Sequence, residues 1–87
     1  MLIKTEKGLE IEVIDNAFDD IETLDALSEL VDGSPFAISK LSKRLFKESE
    51  KKKLYDFYRS NDGRLNIETY TAVLTEIMSK LGQKEKN

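Results

Sequence analysis

From Ile21 to Leu81 the apolar residues recur at helical spacing, and the run is broken by Asp32-Gly33-Ser34-Pro35 and by Asn61-Asp62-Gly63. A helical period cut in this way excludes a single long rod and points to short amphipathic helices separated by turns. Each break carries its own chemistry. Gly supplies a left-handed stop, and Ser, Pro or Asn then opens the next helix.

The first helix starts at Asp19-Asp20-Ile21-Glu22, where an Asp cap is followed three residues later by Glu, a capping-box variant. Ile21, Leu24, Leu27, Ser28 and Val31 are expected on its buried side. Glu22, Asp25, Glu29 and Asp32 then form an acidic stripe on the other. Gly33 ends it. Ser34 as cap and Pro35 at the first helical position open the second helix. Its inner face is Ile38, Leu41 and Leu45, and its opposite face carries Lys40, Lys43, Arg44 and Lys47. Ser49 is the expected cap of the third helix, with a ridge of Leu54, Phe57 and Tyr58 and with Tyr55 beside it. Lys51–Lys53 fall in its first turn, where the helix dipole disfavours cations. Gly63 is expected to cap this helix at its end. Asn66 opens the fourth, with Leu65 and Tyr70 at the two positions of a hydrophobic staple. Tyr70, Leu74, Ile77, Met78 and Leu81 form its buried face, Glu76 and Lys80 an i, i+4 pair, and Gly82 its end.

Residues 2–14 alternate instead. Leu9, Ile11 and Val13 fall on one side with Glu10 and Glu12 between them, and Leu2–Thr5 can pair with them across a turn at Glu6-Lys7-Gly8. A two-stranded hairpin is marginal by itself, so it is expected to lie on the helices. The fold class is therefore mainly α, four short helices packed as a small bundle with an N-terminal β-hairpin. The sequence predicts one domain over residues 1–82, with the hairpin at 2–14 and the helices within 19–82, followed by a flexible charged tail at 83–87.

Composition narrows the function. The 87 residues include no Cys and no His, so thiolate metal sites, disulfides and the commonest general base are absent. No nucleophile elbow, SxxK pair or phosphate-binding glycine loop occurs. The chain is expected not to be an enzyme and to need no cofactor or metal. The charged N-terminus does not read as a signal peptide, and no apolar run is long enough to span a membrane. The net charge of −3 hides an asymmetry. Residues 1–33 hold ten Asp/Glu against two Lys, and residues 34–60 hold eight Lys/Arg against three Asp/Glu. Such a split suits complementary faces or a surface that meets a partner.

The stretch Tyr58–Tyr70 has the outline of a calcium loop. With Gly63 at the sixth place, the ligand positions fall on Tyr58, Ser60, Asp62, Asn66 and Thr69, with a backbone carbonyl at Arg64. Calcium requires several carboxylates, with an acid at each end of the loop. Only Asp62 supplies one. Glu68 sits one residue early, about 100° around the helix from the twelfth place. The stretch reads better as a helix stop, a turn and a helix start.

The run SEKKKLYDFYRSNDGRLNIE resembles a block of the small tail assembly chaperones of long-tailed phages and prophages of Gram-positive bacteria. The resemblance lies in Lys51-Lys52, Leu54-Tyr55-Asp56, Arg59, Asp62-Gly63-Arg64 and Ile67-Glu68. Upstream, FDDIETLDALSEL is similar to that family's first helix, and the two blocks cover roughly residues 9–80. Asn66 stands where family members often have Pro before Ile-Glu, and the spacer between the first two helices lacks an acidic insertion. The resemblance implies a protein of the host bacterial cytoplasm that coats the coiled-coil-prone tape-measure protein. It would help recruit major tail protein subunits and leave before the virion is complete.

Three readings of the basic residues stand side by side. Lys40, Lys43, Arg44, Lys47, Lys51 and Lys52, with Lys53, form a solvated face that can pair with the acidic first helix. In the chaperone reading the same residues, together with Tyr55 and Arg59, form a docking face for a helical protein partner. In a third, they contact nucleic acid, as in a small nucleic-acid-binding or regulatory protein of a mobile element. The ten acids of residues 1–33 weigh against that. Phe36, Phe46, Phe57, Tyr58 and Tyr70 are expected in the core. An apolar strip left over, with Phe18 and Phe46 as its candidates, would take a partner helix or a second copy. The hairpin edges are another route to a homo-oligomer, discouraged by Glu10 and Glu12.

Overall fold

The chain folds as four helices and a two-stranded hairpin, seen in a computed structural model that describes residues 1–85. The elements run β1 (Leu2–Lys4), β2 (Glu10–Glu12), α1 (Ile21–Val31), α2 (Phe36–Leu45), α3 (Glu48–Tyr58) and α4 (Ile67–Glu85).

β1 and β2 pair antiparallel with Ile3 opposite Ile11. Gly8 closes the turn at φ +98°, and its N–H donates to the Thr5 carbonyl at 2.9 Å. Ile3, Ile11 and Val13 are buried, β2 lying on α3 and β1 on α4. One outward-facing backbone group of each strand is also occupied. The Glu12 N–H donates to the Glu50 carboxylate at 2.7 Å, and the Lys80 ammonium donates to the Lys4 carbonyl at 2.7 Å. An edge whose polar groups already have partners is a poor template for another strand.

The core is assembled from all four helices and the hairpin. α4 contributes Tyr70, Val73, Leu74, Ile77 and Leu81, α2 contributes Ala37, Leu41 and Leu45, and α3 contributes Leu54. Each fully buried large apolar side chain contributes roughly 1.5–3 kcal/mol. One polar pair lies inside this core. Ser42 Oγ donates to the Ile38 carbonyl at 2.9 Å and lies 2.7 Å from the Tyr70 hydroxyl. Its single proton is thus committed, so Tyr70 donates and Ser42 accepts. Burial pushes the Tyr70 phenol up from its ordinary value.

Several boundaries and facings differ from the sequence expectations. α1 is capped by Asp20 rather than Asp19, its carboxylate accepting from the Glu22 N–H at 3.1 Å and the Thr23 hydroxyl at 3.2 Å. At the other end Gly33 takes φ +95°. The Ser34 and Gly33 N–H groups close back onto Glu29 and Leu30, each at 3.0 Å, the paired bonds of a Schellman stop. The Ser34 side chain does not cap α2, whose flanking residue is Pro35 at φ −67°. α3 starts at Glu48, with Lys47 rather than Ser49 before it. Glu48 and Glu50 occupy its first turn, the favourable sign for that end, and Lys51–Lys53 follow. α3 ends at Tyr58, so Gly63 (φ +84°) belongs to the loop and not to a helix cap. Asn66 caps α4 as expected, its side-chain oxygen accepting from Glu68 at 2.7 Å and from Thr69 at 3.3 Å. Gly82 keeps a negative φ, and α4 continues through it to Glu85, because a glycine without a left-handed turn weakens a helix but does not stop it. The rest of the expected tail, residues 86–87, lies outside the described residues.

The largest difference concerns α1. Ile21 and Val31 are 70% and 78% exposed and Leu24 is 46% exposed, while Thr23 and Ala26 are buried. The helix turns Thr23 and Ala26 inward, with Leu27 and Leu30 half-buried beside them. Ala37 of α2 is likewise fully buried, and small residues let two helix axes approach closely. Ile21, Leu24 and Val31 are thereby left on the outside. Phe36 and Phe57 are exposed as well, Phe46 is buried, and Phe18 is half-buried against the core.

Candidate partner-binding surface

The basic residues singled out in the sequence sit in two separate places. Lys40, Lys43 and Arg44 line a cleft between α1 and α2 together with Glu22, Asp25, Ala26 and Glu29. The Lys40 ammonium lies 3.1 Å from Glu29. Arg44 donates through Nε to Asp20 at 2.8 Å and reaches Glu22 at 3.5 Å. Glu22 and Glu29 of the acidic stripe and Arg44 and Lys40 of the basic stripe thus pair along one seam. Lys43 and Lys47 are exposed and make no ion pair with a described residue.

α3 carries the rest. Lys51 pairs with Glu48 at 3.0 Å and Lys52 with Asp56 at 3.0 Å. Lys51 also stands 6.0 Å from the Tyr55 ring centroid, at the outer limit of a cation–π contact. Tyr55 is held from the other side by Tyr70, edge to face at 5.2 Å. Arg59 joins Asp56 at 3.0 Å and donates to the Gly63 carbonyl at 2.9 Å, tying the end of α3 to the following loop. Tyr55 and Arg59 line a second groove with Pro35, Ile38, Leu65 and Ile67, and Ile67 is 65% exposed on its rim. Exposed ion pairs such as these contribute about 0–1 kcal/mol each, so a partner can displace them at small cost.

The Tyr58–Tyr70 loop spends its oxygens internally. The Asp62 carboxylate accepts from the Ser60 hydroxyl and from the Arg64 N–H at 3.0 Å, and the Ser60 N–H reaches the Arg64 carbonyl at 2.8 Å. These bonds hold Asp62's carboxyl below its usual range. Among the described residues no group of three or more His, Cys, Asp or Glu is placed to hold a metal ion, and no helix is long and apolar enough to cross a membrane.

Asp20 joins cap and seam. The Arg44 guanidinium, and then the Glu22 N–H and Thr23 hydroxyl, hold its carboxyl below the ordinary range. A carboxylate with a depressed folded-state value stabilises the fold fully above its unfolded value of ~3.9 and loses that contribution as pH falls through the folded value. Asp20→Asn keeps the cap and removes the charge, so its melting temperature declines less than the wild type's below about pH 4. Asp20→Ala removes both roles and lowers the melting temperature at neutral pH by roughly 4–8 °C. Equal acid profiles for wild type and Asp20→Asn would show that the seam carries no linked charge.

The apolar face of α1 is what reading the sequence by size missed. The signal was the pairing of small residues, Thr23 and Ala26, on the arc opposite Ile21 and Val31. No protein-family model matches this chain, and no curated protein or solved structure matches it.

Proposed function

We propose that this protein is a non-enzymatic tail assembly chaperone of a long-tailed phage or prophage. It binds the tape-measure protein in the host cytoplasm and helps gather major tail protein around it. The observation that carries the reading is the row of large apolar side chains left on the surface of α1, at Ile21, Leu24 and Val31. A small domain that keeps such a row in water gains by burying it against another protein. A coiled-coil-prone chain offers the matching apolar seam. The resemblance of residues 51–68 and 18–30 to that family supplies the identity of the partner.

The nucleic-acid alternative draws less support. Lys40, Arg44, Lys51, Lys52 and Arg59 each already sit beside a carboxylate of the same chain. Co-expression with a tape-measure protein of a long-tailed phage decides the matter. The expected result is a soluble complex in which the tape-measure protein co-purifies, where alone it aggregates. A tape-measure protein that stays insoluble, together with a gel shift of DNA or RNA that weakens steeply with salt, would overturn the proposal in favour of the alternative.

A further inference from the structure

The geometry points to α1 as the docking face for an amphipathic helix of another protein, one whose apolar seam is bordered by lysine or arginine. This rests on the protein-binding reading above and specifies the partner's chemistry. Ile21, Leu24, Ser28 and Val31 follow the three-four-three spacing of a coiled-coil seam. At about 100° per residue they fall within roughly 80° of one another, and they extend for about 15 Å, the length of less than two heptads. All four are exposed. Ser28, small and central, lets a partner backbone come close.

The acids of α1 are sorted by position. Glu22 and Glu29, on the flank toward α2, are met by Arg44 and Lys40. Asp25 and Asp32 stand seven residues apart, next to the apolar row, and both are exposed. Neither forms an ion pair with a described residue. The border of the row thus keeps two carboxylates without an ion pair, Asp25 at the rim of the α1–α2 cleft and Asp32 beyond it, while Glu22 and Glu29 are matched by α2. Charge complementarity selects a basic flank on the occupant. It also disfavours the alternatives. A second copy docking α1 on α1 would bring the same aspartates against each other, and an anionic membrane surface or nucleic acid would be repelled by them.

The test uses the isotope-labelled full chain and two synthetic helical peptides of about three heptads. Both have leucine along one seam, flanked in one by lysine and in the other by glutamate. The lysine peptide is expected to shift the amide resonances of Ile21, Leu24, Ser28 and Val31 and to bind at least about tenfold more tightly than the glutamate peptide. The Asp25→Lys/Asp32→Lys variant reverses the preference. The Leu24→Ser/Val31→Ser variant loses the binding while it remains folded, because Val31 is 78% exposed and Leu24 about half-exposed. Equal binding of the two peptides, no binding, or shifts confined to the Ile38–Tyr55–Leu65 groove would overturn the inference. So would concentration-dependent shifts of the same α1 amides without peptide, which would assign the face to a second copy. Selective peptide binding without capture of the tape-measure protein upholds this inference and sinks the tail-chaperone reading. Capture that survives Leu24→Ser/Val31→Ser does the reverse.

Discussion

Leu54→Ala is expected to destabilise the fold by about 2–5 kcal/mol, the range for a fully buried leucine whose cavity closes only in part. Leu54 is the one fully buried side chain of α3. Tyr55 and Tyr58 are only half-buried, so the helix has no second apolar anchor of that depth. Its loosening also removes two supports of the hairpin, the Glu50 carboxylate on the Glu12 N–H and the Tyr58 hydroxyl on Thr5 at 2.8 Å. Domains of this size have total stabilities of about 4–13 kcal/mol. The loss is therefore a large fraction of the total. Urea titration reads the effect as a lower midpoint at an unchanged slope. A loss below about 1 kcal/mol would mean that α3 is not seated as described.

The second large effect lies at the buried pair of α2 and α4. Ser42→Ala takes away the acceptor of the Tyr70 hydroxyl, and a buried donor without a partner costs about 1–3 kcal/mol. Tyr70→Phe is milder, about 0.5–1.5 kcal/mol, because Ser42 keeps its bond to the Ile38 carbonyl. The double variant Ser42→Ala/Tyr70→Phe is expected to lose less than the sum of the two, since no unsatisfied group remains on either side. Strict additivity in chemical unfolding would show that the two hydroxyls do not share a proton.

What could be read from the sequence was what is local. The alternation of Leu9, Ile11 and Val13 gave the hairpin, and Gly8 and Gly33 gave their turns. Asn66 gave the start of α4, and the period from Tyr70 to Leu81 gave its buried face. Each depends on a residue and its near neighbours. The facing of α1 was not local. Its sequence holds two arcs of apolar character, one bulky (Ile21, Leu24, Val31) and one small (Thr23, Ala26, with Leu30). Which arc turns inward is decided by how close α2 comes. The end of α3 was misplaced for a related reason, since the loop from Ser60 to Arg64 closes on its own hydrogen bonds and needs no helix beneath Gly63. As for the candidate surface, the acidic and basic stripes were both visible. That they meet along one seam depends on the crossing of α1 and α2, which no spacing within either helix contains.

The hairpin's two farthest partners have a consequence for how the molecule is made. The Glu6 N–H donates to the Glu76 carboxylate at 2.6 Å and the Lys80 ammonium donates to the Lys4 carbonyl, so the hairpin is fastened by a helix 70 positions further along the chain. Until that helix is in place, β1 lacks its seat on α4, although β2 can already lie on α3. Contacts of such sequence separation require a long loop to close, a slower step than the local formation of the helices.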